Sequence, residues 1–140
     1  MNKIDIKIDI HTDVEMTVSD LLAAKSGLSK SKVKDAMNKG AVWLKKKRGG
    51  MKRLRKATAM SNKGDHIELH YDETILLTKP GSCDCLSDRG VYSVWYKPPG
   101  MMAQGTIFGD HCSLIRQAVC RYSSSKVSNV KRKKPRSCGA

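Results

Sequence analysis

Between Ser29 and Lys56 the chain carries twelve basic side chains and one acid, Asp35, a net charge of +11 in 28 residues. The chemistry open to such a segment is the holding of phosphate. Ser29 is of the type that caps a helix start, where free backbone N–H groups and the positive end of the helix dipole suit an anion. Lys30 and Lys34 stand four apart on one helical face, where like charges cost about 0.2–0.5 kcal/mol until something anionic binds beside them. Lys45, Lys46, Lys47, Arg48, Lys52, Arg53, Arg55 and Lys56 place eight basic residues in twelve. Arg53 and Arg55 alternate about Leu54, so on a strand they share a face from which each guanidinium fork can grip a phosphate through two bonds. Solvated surfaces interleave acids with bases to limit self-repulsion, and this one does not, which favours a polyanion-binding face over an ordinary charged surface. DNA is the competing polyanion, but the helix beginning at Lys30 offers no pair of Asn, Gln or Arg side chains set to read base edges. Shape-selective binding of structured RNA through its backbone is the more economical expectation.

Other residues with chemical potential carry less. Cys83 and Cys85, with His66, His70, His111 or Cys112, contain enough ligands for zinc, but a lone C-x-C lacks the paired spacing of a structural site, and no metal is expected. His66 and His70 alternate with Ile67 and Leu69, which places them on an exposed outer strand face. Trp43 and Trp95 could stack on bases, yet both stand in apolar strand contexts that favour core packing. Asp110 is the only acid after Asp88, and no catalytic residue is assigned. The run Lys131 to Arg136 is a basic terminus that could grip RNA or act as a localisation signal, and reads as an unselected disordered end.

The whole chain supports the same partner class. It has 140 residues, a formal charge of +14 and an isoelectric point near 9.8, so its field attracts polyanions. Residues 1–28 and 57–100 each carry −2 and residues 101–140 carry +7, so the charge is focused. A single Phe and a hydrophobic fraction of 39% imply a small core of Ile, Leu, Val and Met. Nothing approaches the run of about eighteen apolar residues that a membrane span needs, and MNKIDIKIDI alternates where a signal peptide would be continuously apolar. A soluble cytoplasmic protein with no membrane partner is expected, its five cysteines reduced.

The elements that must position these residues follow from periodicity. Residues 3–10 place Ile4, Ile6, Ile8 and Ile10 on one face of a strand. Thr17 with Asp20 resembles a capping box ahead of a helix over 17–26, ended by Gly27. A second helix runs from Lys30 to Lys39 with Val33 and Met37 inward and Gly40 as its stop. Strands at 41–44 and 67–71, joined through Gly49-Gly50 and the turn at Lys63-Gly64-Asp65, complete a small sheet on the two helices. Residues 73–90 have no sustained period and read as a linker. Val91 to Tyr96 is β-prone, Ser113 to Val119 weakly helical, and 120–140 reads as a disordered basic tail. The expected class is α+β, divided at 1–72, 73–90, 91–119 and 120–140.

Two family resemblances sharpen these expectations. Thr17 to Asp72, with LSKSKVKDAMNKGAVWL at its centre and KGDHIELHY at its end, resembles the ribosomal-protein-S-four-type RNA-binding domain. By that likeness Ser29, Lys30, Lys32 and Lys34 would meet structured RNA, with ribosomal RNA the expected target, and Gly64-Asp65 would be structural. YSVWYKPPGMMAQGTIFGDHCSL is similar to the opening of the catalytic domain of pseudouridine synthases of the ribosomal large-subunit type, through its Lys97-Pro98-Pro99-Gly100 turn, Gln104-Gly105 and Gly109-Asp110-His111. That family isomerises uridine in RNA with a single aspartate in a His-Arg-Leu-Asp segment and needs no metal or organic cofactor. No such segment occurs in this sequence. The resemblance therefore implies an incomplete α/β synthase piece after an intact RNA-binding module, and RNA binding without isomerisation. The alternatives are an active synthase whose true product is longer or completed by another chain, and a self-sufficient ribosome-associated binding protein.

Overall fold

The computed structural model describes residues 2–125, with backbone only for 122–125. Two compact units divide the chain. Residues up to Leu77, together with Ile107–Gly109, form one, and the described residues in 78–106 and 110–125 form the other. Both are mixed, and the chain is α+β with four helices and two antiparallel sheets among its described residues.

The first unit opens with β1 (Lys3–Asp9), whose exposure alternates as its Ile-x-Ile-x pattern requires. Next, α1 (Val18–Ser26) is capped by Thr17, whose hydroxyl accepts from the Asp20 N–H and donates to the Asp20 carboxylate. Ser29 caps α2 (Lys30–Lys39) by accepting from the Lys32 N–H. Gly40 closes α2 at φ 90°, a left-handed conformation that costs other residues backbone strain. The chain continues as β2 (Val42–Lys45), β3 (Met51–Arg53) and β4 (His66–Asp72), giving an antiparallel sheet in the order β1-β4-β2-β3.

One face of this sheet carries the core. Ile67, Leu69 and Tyr71 of β4 and Val42 of β2 are buried against Val18 and Leu22 of α1 and Val33, Ala36 and Met37 of α2. Two helices pack on a small sheet as the apolar periods demand, and Ile4, Ile6 and Ile8 extend the layer along β1.

Residues 73–90, expected as a linker, contain α3 (Glu73–Leu77) and β5 (Asp84–Asp88). For α3 the missed signal is a cap: the Asp72 carboxylate accepts from the Thr74 and Ile75 N–H groups, and Leu76 is buried. Five residues are too few to show a helical period. On β5 the more buried positions are Cys85 and Ser87, and Leu86 faces out, so the alternation is invisible to a hydrophobicity pattern. β5 pairs with β6 (Ser93–Tyr96) through a bulge between Cys85 and Ser87. The weak helix expected at 113–119 is the start of α4 (Leu114–Ser125), which takes in the first residues assigned to the disordered tail. Ser113 starts it by accepting from the Arg116 N–H. Lys131 to Arg136, Cys138 and the remainder of the expected tail lie outside the described residues. Among those described, no helix is long and apolar enough to cross a membrane.

If this helix-on-sheet layer is the main source of stability, Met37→Ala should cost about 2–5 kcal/mol in urea unfolding, by lost burial and a residual cavity. Lys34→Ala on the exposed side of the same helix should change it by no more than about 0.5 kcal/mol.

Candidate nucleic-acid interface

The fold separates the basic segment into three groups in different electrostatic circumstances. The first is the start of α2. Lys30 lies 2.5 Å from the Asp20 carboxylate of α1, and Lys32 lies 3.5 Å from Glu73 of α3. The Lys30 ammonium, the Thr17 hydroxyl and the charge of Lys34 hold the Asp20 carboxyl below its ordinary range. Glu73 is held down chiefly by the Asn2 N–H, with Lys32 adding to it. The repulsion expected between Lys30 and Lys34 is thus eased by Asp20 of the neighbouring helix, which Lys30 touches and whose carboxyl feels the charge of Lys34. Lys34 stays exposed with no carboxylate against it among the described residues, and Lys39 bonds both Asp35 and the Leu76 carbonyl.

The second group is the two arginines. Their expected role as paired phosphate forks on one strand face does not match where they point. The Arg53 guanidinium bonds the Gly40 carbonyl, and Arg55 donates to the Asn38 carbonyl at 3.0 Å. Both therefore close the C-terminal end of α2, where unpaired carbonyls and the negative end of the dipole favour a cation. β3 ends at Arg53, so Arg55 is not on a strand. Arg53 also lies over the Trp43 ring at 4.3 Å, a cation–π contact.

The third group is the β2–β3 hairpin. Trp43 pairs with Arg53, Leu44 with Lys52 and Lys45 with Met51, leaving residues 46–50 as the connecting loop. Lys46 is anchored at 2.8 Å to Asp65, which is 3% exposed. Burial alone would raise the Asp65 carboxyl, but Lys46 and the backbone N–H groups of Asn62 and Lys47 outweigh it and hold it low. The Lys47 stem lies beside the turn, 3.1 Å from where a Cβ on Gly64 would be, and the φ of 92° at Gly64 is a left-handed conformation that favours glycine there. Gly64-Asp65 is thus the brace for the base of the hairpin. Lys45, Lys47, Arg48, Lys52 and Lys56 are exposed and have no carboxylate partner among the described residues.

The face of the sheet opposite the core holds polar chemistry that periodicity alone did not reveal. Strand register sets Asp5 beside His70, Lys7 beside Glu68 and Asp9 beside His66. Glu68 bridges both histidines, at 2.9 Å to His66 Nε2 and 2.8 Å to His70 Nε2, while His66 Nδ1 meets Asp9 at 2.6 Å. Glu68 and Asp9 raise the His66 pKa, and His66 lowers that of Glu68. The expectation of two exposed histidines fails for His70, which is 5% exposed and lies edge-on to Phe108 at 6.1 Å. Trp43, expected in the core, is on this face too, its indole N–H donating to the Ile107 carbonyl at 3.0 Å. Trp95 is half-buried in the second unit, its N–H on the Ser93 hydroxyl and the Arg121 guanidinium 4.8 Å from its ring. Among the described residues no group of three or more His, Cys, Asp or Glu side chains is placed to hold a metal ion. Cys83, Cys85, Cys112 and Cys120 are free thiols.

The His66–Glu68 pair gives a signed pH dependence. A raised His66 contributes stability that is fully present below its ordinary value of 6.5 and fades as pH rises through its higher folded value. A lowered Glu68 contributes stability present above its ordinary 4.5 and lost as pH falls through its lower folded value. The loss of stability in Glu68→Gln, measured by thermal unfolding from pH 3 to 9, should therefore be largest between about 4.5 and 6.5 and shrink on both sides. A difference constant across the range would contradict the pairing.

Comparison with known proteins finds no matching family model, no matching curated protein and no matching solved structure.

Proposed function

We propose that the first unit binds structured RNA, with backbone phosphates as its principal ligands and the β2–β3 hairpin as the leading contact. The observation that carries this reading is the uncompensated charge of Lys45, Lys47, Arg48, Lys52 and Lys56 on and just after one short hairpin, on a frame braced by Lys46–Asp65. Ammonium groups held near one another without acids attract a polyanion and gain from the counterions it releases. RNA fits better than DNA because no recognition helix presents base-reading pairs, and phosphate and shape contacts suffice for folded RNA.

The likeness of Thr17 to Asp72 to the S-four-type domain supports the same partner and adds the start of α2 as a secondary contact, with Lys34 its exposed cation. The likeness of residues 92–114 to the pseudouridine synthase opening gives the second unit its place in the proposal, as part of a domain that the RNA-binding unit would bring to its substrate. Binding, and not isomerisation, is the activity proposed for this 140-residue chain.

Two variant sets separate the hairpin from the helix. Replacing Lys45, Lys47, Arg48 and Lys52 together by Ala should weaken binding to a ribosomal RNA fragment. It should also flatten the slope of log affinity against log salt by up to about 3, the worth of four phosphate contacts. Lys30→Ala with Lys32→Ala should change the slope by less than about 1, because both side chains already have acids. An unchanged slope in the hairpin variant would remove this surface from consideration.

A further inference from the structure

Beneath the hairpin lies a hollow of about 290 Å³, lined by Leu44, Lys46, Arg48, Gly49, Gly50, Lys52, Arg53 and Leu54. Its composition is unlike that of a plain phosphate site. Leu44 and Leu54 are half-buried and packed against the core, so they form an apolar floor, while Lys46, Arg48 and Lys52 supply a cationic rim. An isolated phosphate would gain nothing from the leucines. A free apolar group would gain nothing from the rim. A nucleotide has both parts, a flat base that loses little by leaving water and a phosphate one sugar away.

We propose that this hollow takes one unpaired nucleotide of the bound RNA, the base against Leu44 and Leu54 and its phosphate on Arg48 or Lys52, while Lys46 stays on Asp65. The inference rests on the RNA-binding reading above and goes further by naming an unstacked base as the ligand. Size supports a single base, since the hollow is at the lower limit of the roughly 300–1,000 Å³ usual for small-molecule sites. The backbone at Gly50 allows close approach, because a Cβ there would meet no heavy atom within 4 Å. Arg53, held by the Gly40 carbonyl and Trp43, makes a fixed wall. Recognition of splayed bases is how proteins discriminate among RNAs whose helices look alike.

The test compares two RNA stems that differ by one bulged purine, by fluorescence anisotropy at fixed salt. The wild-type protein should bind the bulged stem about tenfold more tightly than the fully paired one, on the order of what burying part of a base face against two leucines supplies. Gly50→Leu, at a position with open space and an ordinary backbone conformation, keeps the fold while narrowing the hollow. It should bring the ratio close to one. Equal wild-type binding to both stems overturns the nucleotide site while leaving RNA binding intact, as does Gly50→Leu retaining the full preference. Binding of neither stem overturns the RNA reading and this inference together.

Discussion

Twelve basic side chains within 28 consecutive residues repel one another, and the arrangement of the first unit follows from how that repulsion is relieved. Screening in physiological salt acts over roughly 8 Å, so relief has to be local. Asp20 reaches Lys30 from the neighbouring helix, Glu73 reaches Lys32 from α3, and Asp65 reaches Lys46 from the turn before β4. The arginines find a different partner, the carbonyl end of α2. What these contacts leave uncompensated is, apart from Lys34 on α2, gathered on and just after the hairpin. The exposed pairs among these, Lys30–Asp20 and Lys32–Glu73, contribute about 0–1 kcal/mol each, so those acids matter less for stability than for where they leave the charge.

β4 joins the two halves of this arrangement. Its odd positions, Ile67, Leu69 and Tyr71, are the sheet's contribution to the core, and its even positions, His66, Glu68 and His70, build the polar row on the other face. The inner half was legible in the sequence, because alternation of apolar residues has one physical cause and one outcome. So were the caps at Thr17, Ser29, Gly27 and Gly40, since each meets its backbone groups within a few residues. The outer half was not. It depends on the register that sets Asp5 and Asp9 beside two histidines sixty residues away, and on Phe108 arriving over His70 from a distant segment. Trp43 was misread for the same reason: in an apolar run it looks like core, but its place in the register puts it opposite Arg53 on the outer face.

The candidate site divides in the same way. That the segment from Ser29 to Lys56 is basic was plain from composition, and its helix was plain from the caps at Ser29 and Gly40, but the pairing of β2 with β3 across residues 46–50 was not read from Gly49-Gly50. Which bases remain available was not plain either, because every neutralising acid but Asp35 lies outside the segment. Arg53 and Arg55 show the limit most clearly. Their alternation about Leu54 correctly suggested extended backbone for Arg53, yet the carbonyls they bond belong to the residues that end α2, a contact no local pattern encodes.

The arrangement also has a mechanical logic. A hairpin of three and four paired residues is marginal alone, because two short strands bury little. Here it is fixed on three sides. β2 pairs with β4, Lys46 and the Lys47 stem hold its base to the Asp65 turn, and Arg53 and Arg55 tie its exit to α2. The cations that fasten it are those nearest the acids and carbonyls of the fold, and the cations left over extend from a frame tied at its pairing edge, its base and its exit. Long side chains ordered by a ligand lose up to about 2 kcal/mol of rotamer freedom each, so mobile lysines on a mobile loop would bind weakly. Fixing the backbone beneath them removes the separate backbone cost, about 1–2 kcal/mol per residue, before any partner arrives and leaves only the side-chain part to be met on binding. Leu44 and Leu54, packed against the core, line the hollow beneath the same loop, so an apolar surface lies within reach of the charge.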